Sequence, residues 1–168
     1  IARRQRQMCI RDRLNGVWTI ARGEPVTLAV PNGRPASTKG GWTGYEYRHR
    51  KIPEADIIYD GPVRYTNAIR TAIDIARERG VREGVIAIDS VLSGHGDHLY
   101  AELLHQFRAT IARLAGTKGI ANARKALPLA SRLSDSPFES LLRLILDAHG
   151  VPYRCLLYTS PSPRDVEE

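Results

Sequence analysis

The spacing of hydrophobic positions changes character near the middle of this 168-residue chain. Up to about Thr66 they alternate with polar residues or bunch in short runs, the period-2 habit of strands; beyond it they recur every three or four residues, as on one face of a helix. "PVTLAVP" (Pro25–Pro31) is apolar and β-prone, and "NGRPASTKGG" (Asn32–Gly41) is turn chemistry built from Asn-Gly, Pro, Ser and Gly-Gly. In "WTGYEYRHRKIP", Tyr45, Tyr47 and His49 alternate with Glu46, Arg48 and Arg50, which predicts a half-buried strand. "ADIIYDGPVRYT" predicts two short strands around an Asp60-Gly61-Pro62 turn.

The second half predicts helices. The first has Thr66 as N-cap, Ile69, Ala72, Ile73 and Ala76 on its apolar face, and Gly80 just past its end. The second turns Val85, Ile88 (flanked by Ile86) and Leu92 inward and stops at Gly94. Asp97 caps a third, running through Leu99, Leu103, Leu104 and Phe107. Thr117 opens a fourth toward Leu129, with Pro128 kinking or fraying its last turn. "SPFESLLRLILDAHG" predicts a fifth. Ser136 is its N-cap, Pro137 its first residue and Glu139 its third; Leu141, Leu142, Ile145 and Leu146 are apolar, and Gly150 ends it. Short N-terminal β-strands followed by a helical region of about five helices make the fold class α+β.

The two ends fit neither pattern. Codons for Cys155–Ser160 can be chosen so that their reverse complement encodes Met8-Cys9-Ile10-Arg11-Asp12. Two ends related as an inverted DNA repeat match the transposon end used in sequencing-library preparation. The flanking adapter arms match Arg3-Arg4-Gln5-Arg6-Gln7 and Pro161-Ser162-Pro163-Arg164-Asp165. Residues 1–13 and 155–168 are therefore expected to be adapter-derived rather than native, and they are set aside for fold reasoning.

That changes the composition. The whole chain carries 25 Lys+Arg against 18 Asp+Glu, net +7. Residues 14–154 keep 19 bases and 14 acids, net +5, a mild excess that permits nucleic-acid binding without requiring it. Both cysteines, Cys9 and Cys155, fall in the set-aside ends, which excludes disulfides and cysteine-based zinc sites for the rest. No apolar run is long enough to span a bilayer, so no membrane partner is expected and the cytoplasm is the default location.

Candidate chemistry is sparse. "HGDHLYAELLH" offers His95, Asp97, His98, Glu102 and His105 as metal donors, but a loop and one helical turn need not make them converge; a helix cap with solvated histidines explains them as well. Arg48, Arg50 and Lys51, in "YRHRK", could contact phosphates, or could end an exposed strand. Glu139 is the candidate catalytic residue. Ser136-x-x-Glu139 is also a capping box, which explains a glutamate there with no catalysis. Metal-dependent phosphodiester cleavage takes several carboxylates and a Lys or equivalent, of which one helical glutamate is a fragment.

"SDSPFESLLRLILDAHGVPYR" (Ser134–Arg154) resembles the opening of the domain related to very-short-patch-repair endonucleases (Vsr-like), of the PD-(D/E)xK superfamily. The resemblance lies in Ser136-Pro137, Glu139-Ser140, Arg143, Leu144, Gly150 and Pro152. Upstream, "YRHRKIP", "DGPVRYTNAIRTAIDIAR", "GVIAIDSVLSG" and "ARKALPLAS" resemble, in order, segments of bacterial AbiEi-type antitoxins of type IV toxin–antitoxin systems. Arg64-Tyr65-Thr66 departs from the Val-Thr-Thr/Ser usual in that group.

The resemblance implies a domain plan: 14–133 as the antitoxin-like middle region and 134–154 as the first helix of a Vsr-like nuclease domain. A winged helix–turn–helix would lie upstream, with its final strand near Val17–Ile20. It implies DNA as partner, transcriptional repression as function, and a nucleotidyltransferase toxin as genetic partner. Glu139 carries over as a catalytic position without its companions, so the chain as given has no cofactor; Mg²⁺ belongs to the intact nuclease domain. The alternatives are a metal-dependent endonuclease and a protein-interaction module.

Overall fold

The computed structural model of the chain describes residues 15–20, 26–30 and 45–153. Strands come first and helices follow, so the architecture is α+β. Strand β1 (Val26–Val30) pairs in parallel with β2 (Tyr45–His49), Val26 opposite Tyr45. The turn-rich Asn32–Gly41 stretch lies outside the described residues. So do 1–13 and 155–168, and with them the expectation of an adapter origin. Strands β3 (Ile57–Asp60) and β4 (Val63–Thr66) form an antiparallel hairpin, with Ile57 opposite Thr66 and Asp60 opposite Val63. Gly61, at φ 55, takes the left-handed position of its two-residue turn.

Five α-helices follow among the described residues: α1 (Ala68–Arg79), α2 (Val81–Leu92), α3 (Asp97–Arg113), α4 (Ile120–Ala126) and α5 (Pro137–Ala148). Leu127–Leu129 extends α4 as a 3₁₀ turn. Pro128, which has no N–H to continue the α ladder, lies within that turn.

Several boundaries differ from the sequence expectation, each for a physical reason. Asn67, not Thr66, caps α1: its side chain accepts from the Arg70 amide at 2.8 Å. Hairpin pairing carries Thr66 into β4, where its hydroxyl lies 2.8 Å from that of Thr71. Gly96 is the N-cap of α3, with Asp97 as the first helical residue. Thr117 does not open α4. Its hydroxyl donates to the Leu114 carbonyl at 2.6 Å, closing the turn after α3, and Gly119 at φ 80 becomes the N-cap. Residues 17–20 form no strand, although Val17 is buried in the core. Leu99, expected to face inward on α3, is 47% exposed.

Small residues set the packing distance. Helices α1 and α2 are joined by Gly80 alone, at φ 96. Ala72, Ile73 and Ala76 of α1 meet Val85, Ile88 and Leu92 of α2, while Phe107, Ile111 and Leu114 of α3 and Ile120, Ala123 and Ala126 of α4 complete the core. A Cβ on Gly84 would stand 2.5 Å from Ala76 Cβ and 2.9 Å from its Cα. The two helices therefore approach as closely as a glycine allows. Gly84→Ala should overpack this crossing and lower stability by about 1–3 kcal/mol; thermal melting followed by circular dichroism measures the loss.

Candidate functional site

Arg70 lies on α1, one helical step from the apolar stripe, and is buried with two carboxylates. Its NH1 group donates to Asp56 Oδ2 at 2.7 Å and its Nε to Asp74 Oδ2 at 3.1 Å. Asp56 ends a 3₁₀ turn ahead of β3, and its other oxygen accepts from Arg113 at the end of α3. Asp74 also accepts from Arg77 NH1 at 2.6 Å, and Arg50 NH1 lies 3.4 Å from it. Arg50 pairs further with Glu78. One network thus joins the segment after β2, the foot of the hairpin, α1 and α3. Arg70, Asp74 and Arg77 stand at i, i+4 and i+7, a polar stripe beside the apolar one. That spacing was the sequence signal for the network.

A second buried carboxylate anchors α5. Asp89, fully buried on α2, accepts from the Ser131 amide at 2.7 Å and from Arg143 NH2 at 2.8 Å. Arg143 NH1 donates to the Leu129 carbonyl at 2.6 Å. Burial works against the Arg143 charge, but the hydrogen bond and charge of Asp89, together with Tyr153, outweigh it and hold its pKa above the usual value. A lone acid inside the apolar run "VIAIDSVL" is the sequence mark of such a partnered charge.

Helix α5 opens with the expected cap: Ser136 Oγ accepts from the Glu139 amide at 3.2 Å. The reciprocal bond is displaced by one residue. Glu139 Oε2 accepts from the Asp135 amide at 2.8 Å rather than from the amide of Ser136. Ser136 is extended at φ −153, which leaves the preceding amide within the glutamate's reach. Glu139 is exposed and serves the helix start. One apolar stripe of α5 faces outward, with Phe138 67% exposed, Leu142 55% and Ile145 47%, while Leu141, Leu144 and Leu146 are half-buried.

The other expected residues do not gather. The side chain of Arg48 lies outside the described set, Arg50 is held inside the buried network, and Lys51 is exposed. Asp97 pairs with Arg132 at 2.5 Å, and Glu102 accepts from Gln106 at 2.8 Å. His95, His98 and His105 are exposed. Among the described residues no group of three or more His, Cys, Asp or Glu converges to hold a metal. Glu139 belongs to no such group among the described residues.

Sequence reasoning missed a different arrangement. Arg108, Lys118, Arg124 and Lys125 are exposed, and none has an acidic partner among the described residues. Leu103–Ser134 contains six bases and no acid. The missing negative charge in that stretch was the available signal.

Two substitutions separate structural charge from the candidate catalytic acid. Arg70→Ala leaves Asp56 and Asp74 under-compensated and should cost about 3–5 kcal/mol in denaturant unfolding. Glu139→Gln keeps an acceptor for the Asp135 amide, so the loss should stay below about 1 kcal/mol, the worth of a whole cap.

No family model, curated protein or solved structure matches the chain. Among the described residues no helix is long and apolar enough to cross a membrane.

Proposed function

We propose that the chain is part of a cytoplasmic, DNA-associated bacterial protein of the AbiEi-type antitoxin group, a repressor rather than an enzyme in this form. Its partner would be DNA, and a nucleotidyltransferase toxin its genetic companion. The observation that carries this reading is the distribution of charge. Among the described residues the buried charged side chains are four acids, Asp56, Asp74, Glu83 and Asp89, and one base, Arg70. The fold draws negative charge inward and matches it with arginines. Arg108, Lys118, Arg124 and Lys125 are left exposed and have no acidic partner among the described residues. Exposed, unmatched Lys and Arg are what a phosphate backbone recognises, through release of its condensed counterions.

The exposed stripe Phe138, Leu142 and Ile145 favours a second reading, a protein-interaction module, because apolar surface of this kind drives association between proteins. The Vsr-like endonuclease reading gains no such support, since Glu139 is engaged at the start of its own helix.

Fluorescence anisotropy with a labelled DNA duplex tests the leading reading. The 168-residue chain should bind weakly, with Kd in the range of about 10⁻⁴–10⁻⁶ M at physiological salt, and more weakly as salt rises. Absence of binding at low salt, or affinity indifferent to salt, would remove it.

A further inference from the structure

Helix α4 is short, yet three contacts fix its place on the other helices. Gly119 is seated against the Arg77 backbone so closely that a Cβ would collide with the Arg77 carbonyl oxygen. Arg77 Nε donates to the Lys118 carbonyl at 3.1 Å. At the far end, Ala126 Cβ lies 3.2 Å from where a Cβ on Gly84 would stand. Helix α4 therefore lies across the junction of α1 and α2, with Ile120, Ala123 and Ala126 buried beneath it.

Its outward side carries Arg124 and Lys125, with Lys118 just before the helix, all exposed. The acids of this region are withdrawn. Asp74 is buried, Glu78 pairs with Arg50, and Glu83 is buried, with Oε2 3.5 Å from the Ile20 amide and Oε1 3.8 Å from Arg82 NH2. No large hydrophobic residue between 77 and 84 or between 118 and 126 is exposed. A bilayer or a protein anchor needs apolar side chains to insert or bury; this face offers positive charge on long, flexible stems.

We infer that this α4 face, built on Lys118, Arg124 and Lys125, is the surface on which the protein meets the phosphate backbone of duplex nucleic acid, without reading sequence. The inference rests on the DNA-associated reading and places its contact on α4 rather than at Arg48–Lys51. Contacts of this kind position a duplex and carry no base information.

The test measures duplex affinity against salt for the full chain and two double variants with the same change in net charge. In Arg124→Ala/Lys125→Ala two phosphate contacts are lost. The slope of log K against log salt should flatten by about 1.8, that is about 0.9 per contact, and low-salt affinity should drop roughly tenfold or more. Arg64→Ala/Arg132→Ala, whose bases lie elsewhere, should keep the wild-type slope. Arg124 and Lys125 are exposed, so both folding and the melting curve should survive; a single Arg124→Glu variant, expected to weaken binding more than Arg124→Ala, gives an independent reading. Equal effects of the two double variants overturn the inference, because they report overall charge alone. An unchanged slope in Arg124→Ala/Lys125→Ala overturns it too, while leaving DNA association standing. If the wild-type chain binds no duplex at low salt, the underlying reading falls first.

Discussion

One guanidinium determines how the two halves of the molecule fit together. Arg70 is removed from water, and moving an ion out of water is costly unless partners restore what hydration supplied. Asp56 and Asp74 supply it from two directions, at 2.7 and 3.1 Å. Those bonds are directional, so they fix more than stability. Two strands alone are marginal in water, and Ile58, Tyr59 and Val63 leave much of the β3–β4 hairpin's apolar surface exposed. The hairpin holds its place because Asp56 at its foot is gripped by Arg70 of α1 and Arg113 of α3, and because the Asn67 amide donates to the Asp56 carbonyl at 2.9 Å. A hydrophobic substitute for Arg70 could fill the same volume but would set no register for the hairpin.

The same constraint shapes the surface. Each buried carboxylate recruits arginines inward: Asp74 takes Arg70 and Arg77 and draws in Arg50, and Asp89 takes Arg143. Arg50 is thereby withdrawn from the strand end where it would have met phosphate. Among the bases that stay outside, Lys118, Arg124 and Lys125, at α4, have no acidic partner among the described residues. Helix α5 follows a related logic. It is fastened to α2 chiefly through Arg143, with Leu144 packed against the core, so its richest apolar positions are not consumed by this attachment.

Much of the fold was legible because its signals are local. Alternation in "YEYRH", the Asp60-Gly61-Pro62 turn, the stripe Ala72, Ile73 and Ala76, and the Ser136 cap each depend on residues within a few positions, and each appears where its pattern lies. The helix starts shifted where two neighbours could both cap and a tertiary contact chose between them, as the hairpin did in claiming Thr66 and leaving Asn67 for α1. The charge network was hidden for a different reason. Asp56 and Arg113 are 57 positions apart, and nothing local says that an exposed-looking arginine will find that aspartate. The polar stripe of Arg70, Asp74 and Arg77 reads equally well as a solvated helix face.

Glu139 shows how a motif can carry two meanings until geometry separates them. Ser-Pro-x-Glu at a helix start satisfies orphan amides of the first turn, and the same residues carry the resemblance on which a catalytic role for Glu139 was expected. A metal-binding carboxylate must keep its oxygens directed toward the ion and share them with neighbouring acids. Here Oε2 is turned back on the chain to accept from the Asp135 amide, and Ser136 Oγ holds the Glu139 amide. The amide bond orients the carboxylate toward the helix start, where the dipole also favours its negative charge. That bond takes one lone pair of Oε2 and leaves Oε1 and the other lone pairs of this exposed carboxylate open. A metal site would also need further acids beside it, and among the described residues no group of three or more His, Cys, Asp or Glu gathers.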